Sequence, residues 1–124
     1  MRRHADSVFS AADQLLNTGK YDDALVAFQN YANEISDLFG EENPDYAMAL
    51  HKMGNIYLSK NEYDKAMHLY KLSRDIRGNT IGINSADYSH SCYNIGMVYY
   101  NKGDYENALK YHLQALEIRK EVLG

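Results

Sequence analysis

The sequence predicts an all-α protein of six antiparallel helices, built as three repeats of a helical pair. Three observations carry this. Tyr21, Tyr63 and Tyr105 recur at an interval of 42 residues, each three residues before an alanine (Ala24, Ala66, Ala108), and Gly40, Gly82 and Gly124 keep the same interval. Each interval holds two stretches whose apolar residues fall at helical spacing. The 124-residue chain has one proline, Pro44, and twelve tyrosines, a composition suited to long uninterrupted helices packed through aromatic rings. A fixed period of this length marks stacked supersecondary units, each too small to bury its apolar face alone.

The units run approximately over residues 1–42, 43–84 and 85–124 of a single domain. The first is the most divergent, keeping Ala5 for Ala47, Tyr21-Asp22 for Tyr63-Asp64, Ala24 for Ala66 and Gly40 for Gly82. Terminal repeats diverge because one of their faces meets solvent. In the second unit Leu50, Met53, Gly54 and Tyr57 define one face of a helix over about 45–60. Pro44 opens it at no cost in hydrogen bonds, and Asn43 is a good N-cap. A turn follows at Lys60-Asn61-Glu62, with Gly19 and Gly103 at the equivalent place in the other units, where glycine or asparagine permits positive φ. Tyr63, Ala66, Met67 and Tyr70 then give a second apolar face, repeated by Tyr105, Ala108, Leu109 and His112. Sliding 43–82 onto 85–124 without a gap leaves ten identities in forty positions, among them Asp45-Tyr46 with Asp87-Tyr88 and Ile76-Arg77 with Ile118-Arg119. Glycine inside a helix costs about 1 kcal/mol against alanine. Gly54 and Gly96 therefore predict close approach of another helix, with Ala66 and Ala108 opposite and Tyr57, Tyr63, Tyr99 and Tyr105 filling the space around the crossing.

Thirteen Lys and Arg against seventeen Asp and Glu leave a net charge of -4 and a pI near 5.7. That balance gives no electrostatic footprint for nucleic acid or an anionic membrane. A single cysteine, Cys92, supports neither a disulfide framework nor a C-x-x-C zinc site, which fits a reducing, cytoplasmic setting. The first residues are not followed by an apolar signal region, and the apolar runs are too short to span a bilayer.

The run Pro44-Asp45-Tyr46-Ala47 through Leu50, Gly54, Tyr57, Tyr63, Ala66 and Tyr70, the run Gly96 to Leu109, and the closing stretch Ala115 to Gly124 together resemble the tetratricopeptide repeat (TPR) family. The likeness is to the 42-residue variety of kinesin light chains and related adaptors, and it covers essentially the whole chain. It implies a right-handed α-solenoid of three helix-turn-helix repeats, with a concave groove lined by the first helix of each repeat. Carried over by position, the groove presents Asp6, Phe9, Asp13, Leu16 and Asn17, then Met48, His51, Lys52, Asn55, Leu58 and Ser59, then His90, Tyr93, Asn94, Met97, Tyr100 and Asn101. Asparagines there can exchange hydrogen bonds with a peptide backbone, and flat aromatic rings add contact area at low entropic cost.

Departures from the family pattern narrow the partner. Members that clamp a terminal carboxylate do so with lysine, arginine and asparagine, whereas the aligned positions here read Phe9, Asp13, Lys52, His90 and Asn94. Grooves for acidic cargo peptides should be basic, yet Asp6 and Asp13 oppose Lys52.

No catalytic, metal or cofactor chemistry is expected. The five histidines lack a His-x-x-x-His spacing, and no Gly-x-Gly-x-x-Gly or phosphate loop is present. Cys92 takes the place of Leu50 and reads as a small core residue. On the last helix Leu109, Leu113, Leu116, Val122 and Leu123 form an apolar face; some 400 Å² of it left bare would return up to ~10 kcal/mol on burial. The sequence therefore predicts a non-catalytic module that binds a protein or peptide segment as an adaptor or scaffold. The alternative is a spacer or self-associating segment, meeting a copy of itself end to end or further repeats after Gly124.

Overall fold

The structure is a computed structural model describing residues 2–124, with side chains from residue 4 onward. Its described residues form six α-helices and no strand: α1 (Arg2–Asn17), α2 (Tyr21–Phe39), α3 (Pro44–Ser59), α4 (Tyr63–Thr80), α5 (Ala86–Asn101) and α6 (Tyr105–Leu123). Each helix packs on its neighbours in the chain, so the pairs α1/α2, α3/α4 and α5/α6 stack into an all-α solenoid of three repeats. Among the described residues no helix is long and apolar enough to cross a membrane.

Local chemistry sets the helix ends. Asn43 is extended, and its side chain accepts from the backbone N–H of Asp45 (2.8 Å) and Tyr46 (3.3 Å), with Pro44 as the first helical residue of α3. Ser85 caps α5 through Tyr88 N–H (3.1 Å), and Asp104 caps α6 through Asn107 N–H (3.2 Å). The Asn107 side chain, which donates Nδ2 to Asp104 at 2.7 Å, and then its backbone N–H favour the ionised carboxylate and lower the Asp104 pKa. The three turns inside the pairs each place one residue at positive φ: Gly19 at 78°, Asn61 at 62° and Gly103 at 83°.

The buried apolar residues form separate clusters along the stack. Ala12, Phe28, Leu50, Met53, Ile56 and Ile76 join α1 to α4 in one, and Ala66, Tyr70, Ile95 and Val98 join α4 to α5 in another. Cys92 is buried at the position of Leu50, where burial raises its thiol pKa. Tyr21 and Tyr63 are half-buried against these clusters. Tyr105, which no following helix covers, is 64% exposed.

At Gly54 and Gly96 the partner helix comes close, as the sequence suggested, but the nearest group is an aromatic ring. A Cβ on Gly54 would lie 2.7 Å from the ring of Tyr70, and one on Gly96 would overlap the ring of His112 and lie 3.2 Å from the backbone oxygen of Ala108. The space is reserved for the aromatic side chain of the partner helix, and Tyr70, wholly buried, is the residue that fills it. Tyr57, Tyr63 and Tyr99 are packed around the crossing only in part.

Candidate functional site

The odd-numbered helices α1, α3 and α5 lie side by side along the stack and share one face. Two of the residues assigned to that face by position turn out to be buried, His51 at 1% and Asn94 at 9% exposure, and Asn55 is half-buried beside them. Asn94 Nδ2 donates to Asn55 Oδ1 (3.1 Å) and lies 3.1 Å from Nε2 of His51, while Tyr70 donates its hydroxyl proton to the same oxygen of Asn55. Arg77, also 1% exposed, places Nη1 at 3.4 Å from Nδ1 of His51. A polar chain of five side chains thus threads α4, α3 and α5. The hydrogen-bonding capacity of His51 and Asn94 and the carbonyl oxygen of Asn55 are turned inward, not toward a ligand.

The chemistry of this chain follows from its burial. His51 is pushed down to about 2, first by desolvation and then by the neighbouring positive groups of Arg77, His90 and Lys52. Both ring nitrogens face N–H groups, so an imidazolium would find no acceptor. Burial likewise raises the Tyr70 phenol. His90 stands on the open side, with its ring centroid 4.6 Å from that of His51, and its pKa is lowered by desolvation and then by Arg77 and Arg119.

The other assigned residues lie nearer solvent. Phe9 is half-buried, edge-on to Phe28 (5.6 Å) and Tyr31 (5.0 Å), and lines a depression of about 380 Å³ with Asp6, Ser10, Asp45 and Met48. Asp13 and Lys52 pair across α1 and α3 at 2.9 Å, each partly accessible. Asn17 and Asn101 are exposed at the ends of their helices, and Met97 is half-buried. Tyr93 is 39% exposed, stacked on His112 at 5.0 Å with the Arg119 guanidinium 5.6 Å from its ring. Tyr100 is 54% exposed and meets Tyr105 edge-on. Arg119 and His90 border a second depression, of about 330 Å³, at the α6 end.

The residues that position-by-position reading missed are Tyr70, Arg77, Ser91 and Arg119. The repeated Ile-Arg pair was the available signal, but nothing in one sequence says that the first arginine is buried and the second is not. A cavity of about 510 Å³ lies elsewhere, between α2, α3 and α4, lined by Leu25, Val26, Met53, Tyr57 and Leu69. Among the described residues no group of three or more His, Cys, Asp or Glu is placed to hold a metal ion.

A tetratricopeptide repeat model matches residues 7–79, and a second tetratricopeptide repeat model matches 89–124. The chain belongs to the tetratricopeptide repeat family. BtubC (BKLC) from P. vanneervenii superposes with a TM-score of 0.87 at 24% identity, over 97% of this TPR chain and 48% of that one. A P. anserina protein described as a kinesin light chain with nearly identical TPR-like repeats gives 0.79 at 15% identity, over 94% and 56%. The type III secretion translocator chaperone SycD of Yersinia enterocolitica gives 0.74 at 18%, over 95% and 76%. At these identities the likeness is one of fold. The TPR chain spans about half the length of the first two. No curated protein matches it significantly.

Proposed function

We propose that this chain is a non-catalytic protein-protein interaction module that holds a peptide segment of a partner against the face of α1, α3 and α5. The three units, 1–42, 43–84 and 85–124, act as one domain. The observation that carries the reading is the pair of exposed tyrosines on that face, Tyr93 at 39% and Tyr100 at 54%. Each is held by a neighbouring ring, Tyr93 by His112 and Tyr100 by Tyr105. Rings fixed in this way present apolar area with little rotamer entropy left to lose on binding. Asn101, Asn17 and the Asp13–Lys52 pair supply polar contacts beside them. TPR membership and a neighbour described as a translocator chaperone support a protein as the partner.

The test is affinity capture from the source cell with the wild-type chain and with Tyr93→Ala/Tyr100→Ala/Asn101→Ala. Loss of a specific captured protein, with helicity and unfolding midpoint retained, supports the reading. Buried contacts of this kind are worth about 1 to 3 kcal/mol each. An unchanged set of captured proteins favours the second reading, a spacer within a larger repeat array. That reading draws on the apolar face of α6, where Leu109, Leu113 and Leu116 are at least half exposed.

A further inference from the structure

The cavity of about 510 Å³ opens between α2 and α4, with α3 beneath it. The buried Leu50 and Met53 of α3 make an apolar floor, and Tyr57 and Leu69 line it as well. Its volume is that of small-molecule sites, which combine an apolar lining with a few placed polar groups. Two basic side chains, Lys65 and His68, lie at its mouth, exposed and one helical turn apart on α4. The chain carries a net charge of -4, yet among the described residues none that lines this cavity is acidic. An apolar interior with a basic rim is complementary to an apolar molecule that bears a carboxylate.

The repeat itself shows what lies well against a tyrosine at this place. One unit on, Tyr57 and Leu69 are replaced by Tyr99 and Tyr111, whose rings stack with centroids 5.6 Å apart and planes 21° from parallel. Lys110 sets its Nζ 5.9 Å from the Tyr111 ring, and the residue in its place at the cavity is His68. Lys65 Nζ lies 5.3 Å from the centroid of Tyr57, where the third unit has the neutral Asn107. In the second unit, therefore, the ring is absent and a cation stands beside the tyrosine. Lys65 also meets Glu62 at 3.3 Å, but both are accessible, and an exposed pair of this kind yields readily to a competing carboxylate.

We propose that this cavity binds a small aromatic carboxylate, its ring against Tyr57 as Tyr111 lies against Tyr99, and its carboxylate on Lys65 and His68. Stacking and burial on the α3 floor hold the ring. Charge-assisted hydrogen bonds from the two α4 side chains fix its direction, with the carboxylate toward solvent. The mouth lies on α2 and α4, apart from the shared face of α1, α3 and α5, so the inference stands whatever that face binds.

The experiment titrates the 124-residue protein with naphthylacetate and with naphthylethanol, which carries the same rings without the carboxylate. Naphthyl fluorescence anisotropy reads the binding, and the protein has no tryptophan to interfere. The acid should bind saturably at one site, about tenfold more tightly than the alcohol, the worth of one charge-assisted hydrogen bond. Lys65→Gln/His68→Gln, at two exposed positions that the fold does not depend on, should remove that tenfold advantage and leave the alcohol unchanged. Leu69→Tyr, which sets a ring of the chain's own beside Tyr57, should abolish binding of both. Absence of saturable binding, or binding that survives Leu69→Tyr, overturns the site, and equal affinity for acid and alcohol overturns the carboxylate. Failure of both probes to bind, with loss of a captured protein in Leu69→Tyr, overturns the small ligand in favour of a partner's side chain.

Discussion

The guanidinium of Arg77 on α4 donates a 2.9 Å hydrogen bond to the hydroxyl of Ser91 on α5, with neither residue more than 1% exposed. A buried arginine without a carboxylate is costly unless carbonyl and hydroxyl acceptors surround it. Here the backbone of Asp87 and the hydroxyl of Ser91 fill that role, and both belong to the next repeat. The pair, with Asn94 bonded to Asn55, ties the second and third repeats by specific bonds as well as by apolar contact.

Removing this tie should be expensive. Arg77→Ala removes the donor to the buried hydroxyl of Ser91 and leaves a void the size of the side chain, for a loss of about 2 to 4 kcal/mol. Ser91→Ala, which removes one acceptor only, should cost about 1 kcal/mol. Chemical denaturation of the two single variants and the double variant measures both, and the double should cost less than the sum because the lost bond is shared.

The neutral His51 makes stability depend on acid. In the unfolded chain it titrates near 6.5, and in the folded chain at about 2. Between those values the unfolded state binds the extra proton, so stability falls as pH is lowered through that window, by up to about 1.4 kcal/mol per pH unit. From about pH 7 to about pH 5 the loss should reach about 2 kcal/mol. His51→Asn should unfold with a shallower dependence over the same range. Urea midpoints measured against pH test this, and equal slopes for the two proteins would refute it.

Much of this architecture was legible in the sequence, because the repeat interval, Asn43 with Pro44, and the turn residues Gly19, Asn61 and Gly103 each act locally and leave a local mark. The odd-helix residues were assigned to one face by position, but their roles were not legible. His51 and Asn55 fall at outward positions of α3 by helical phase, yet the bulk of Tyr70 and Arg77 reaching over from α4 draws them into a shared polar interior. Helical phase describes one helix, whereas burial is decided by what the neighbouring helix carries. The glycines show the same limit: Gly54 signals that something comes close, and only the packed structure shows it to be the Tyr70 ring rather than backbone.

Gly54→Ala is therefore expected to destabilise the protein although alanine is the better helix former. The propensity gain is about 1 kcal/mol. Against it, a Cβ 2.7 Å from a ring carbon of Tyr70 forces a fully buried side chain, hydrogen-bonded to Asn55, out of place. Overpacking of this sort costs about 1 to 3 kcal/mol, and the lost Tyr70 bond adds to it. Thermal unfolding of Gly54→Ala and of Gly54→Ala/Tyr70→Leu separates the two contributions: the smaller leucine should recover part of the loss.

The 510 Å³ cavity between α2, α3 and α4 is lined in part by Tyr57 and Leu69, whose equivalents one repeat on are Tyr99 and Tyr111. There Tyr111 stacks on Tyr99 with ring centroids 5.6 Å apart, and Arg74 lies close to Tyr88 and Tyr111. At the equivalent places the first groove has Leu69 for Tyr111, Tyr57 for Tyr99 and Ala32 for Arg74. Of these, Leu69 lines the cavity beside Tyr57, at the place where Tyr111 stands beside Tyr99. Leu69→Tyr should place a ring on Tyr57 and stabilise the fold by up to about 1 kcal/mol, the usual worth of such a pair. The reverse change, Tyr111→Leu, should open a void beside Tyr99 and cost about 1 to 2 kcal/mol. Opposite shifts of the urea midpoint for the two variants are the expected result; destabilisation by Leu69→Tyr would mean that the groove backbone is set for a smaller occupant.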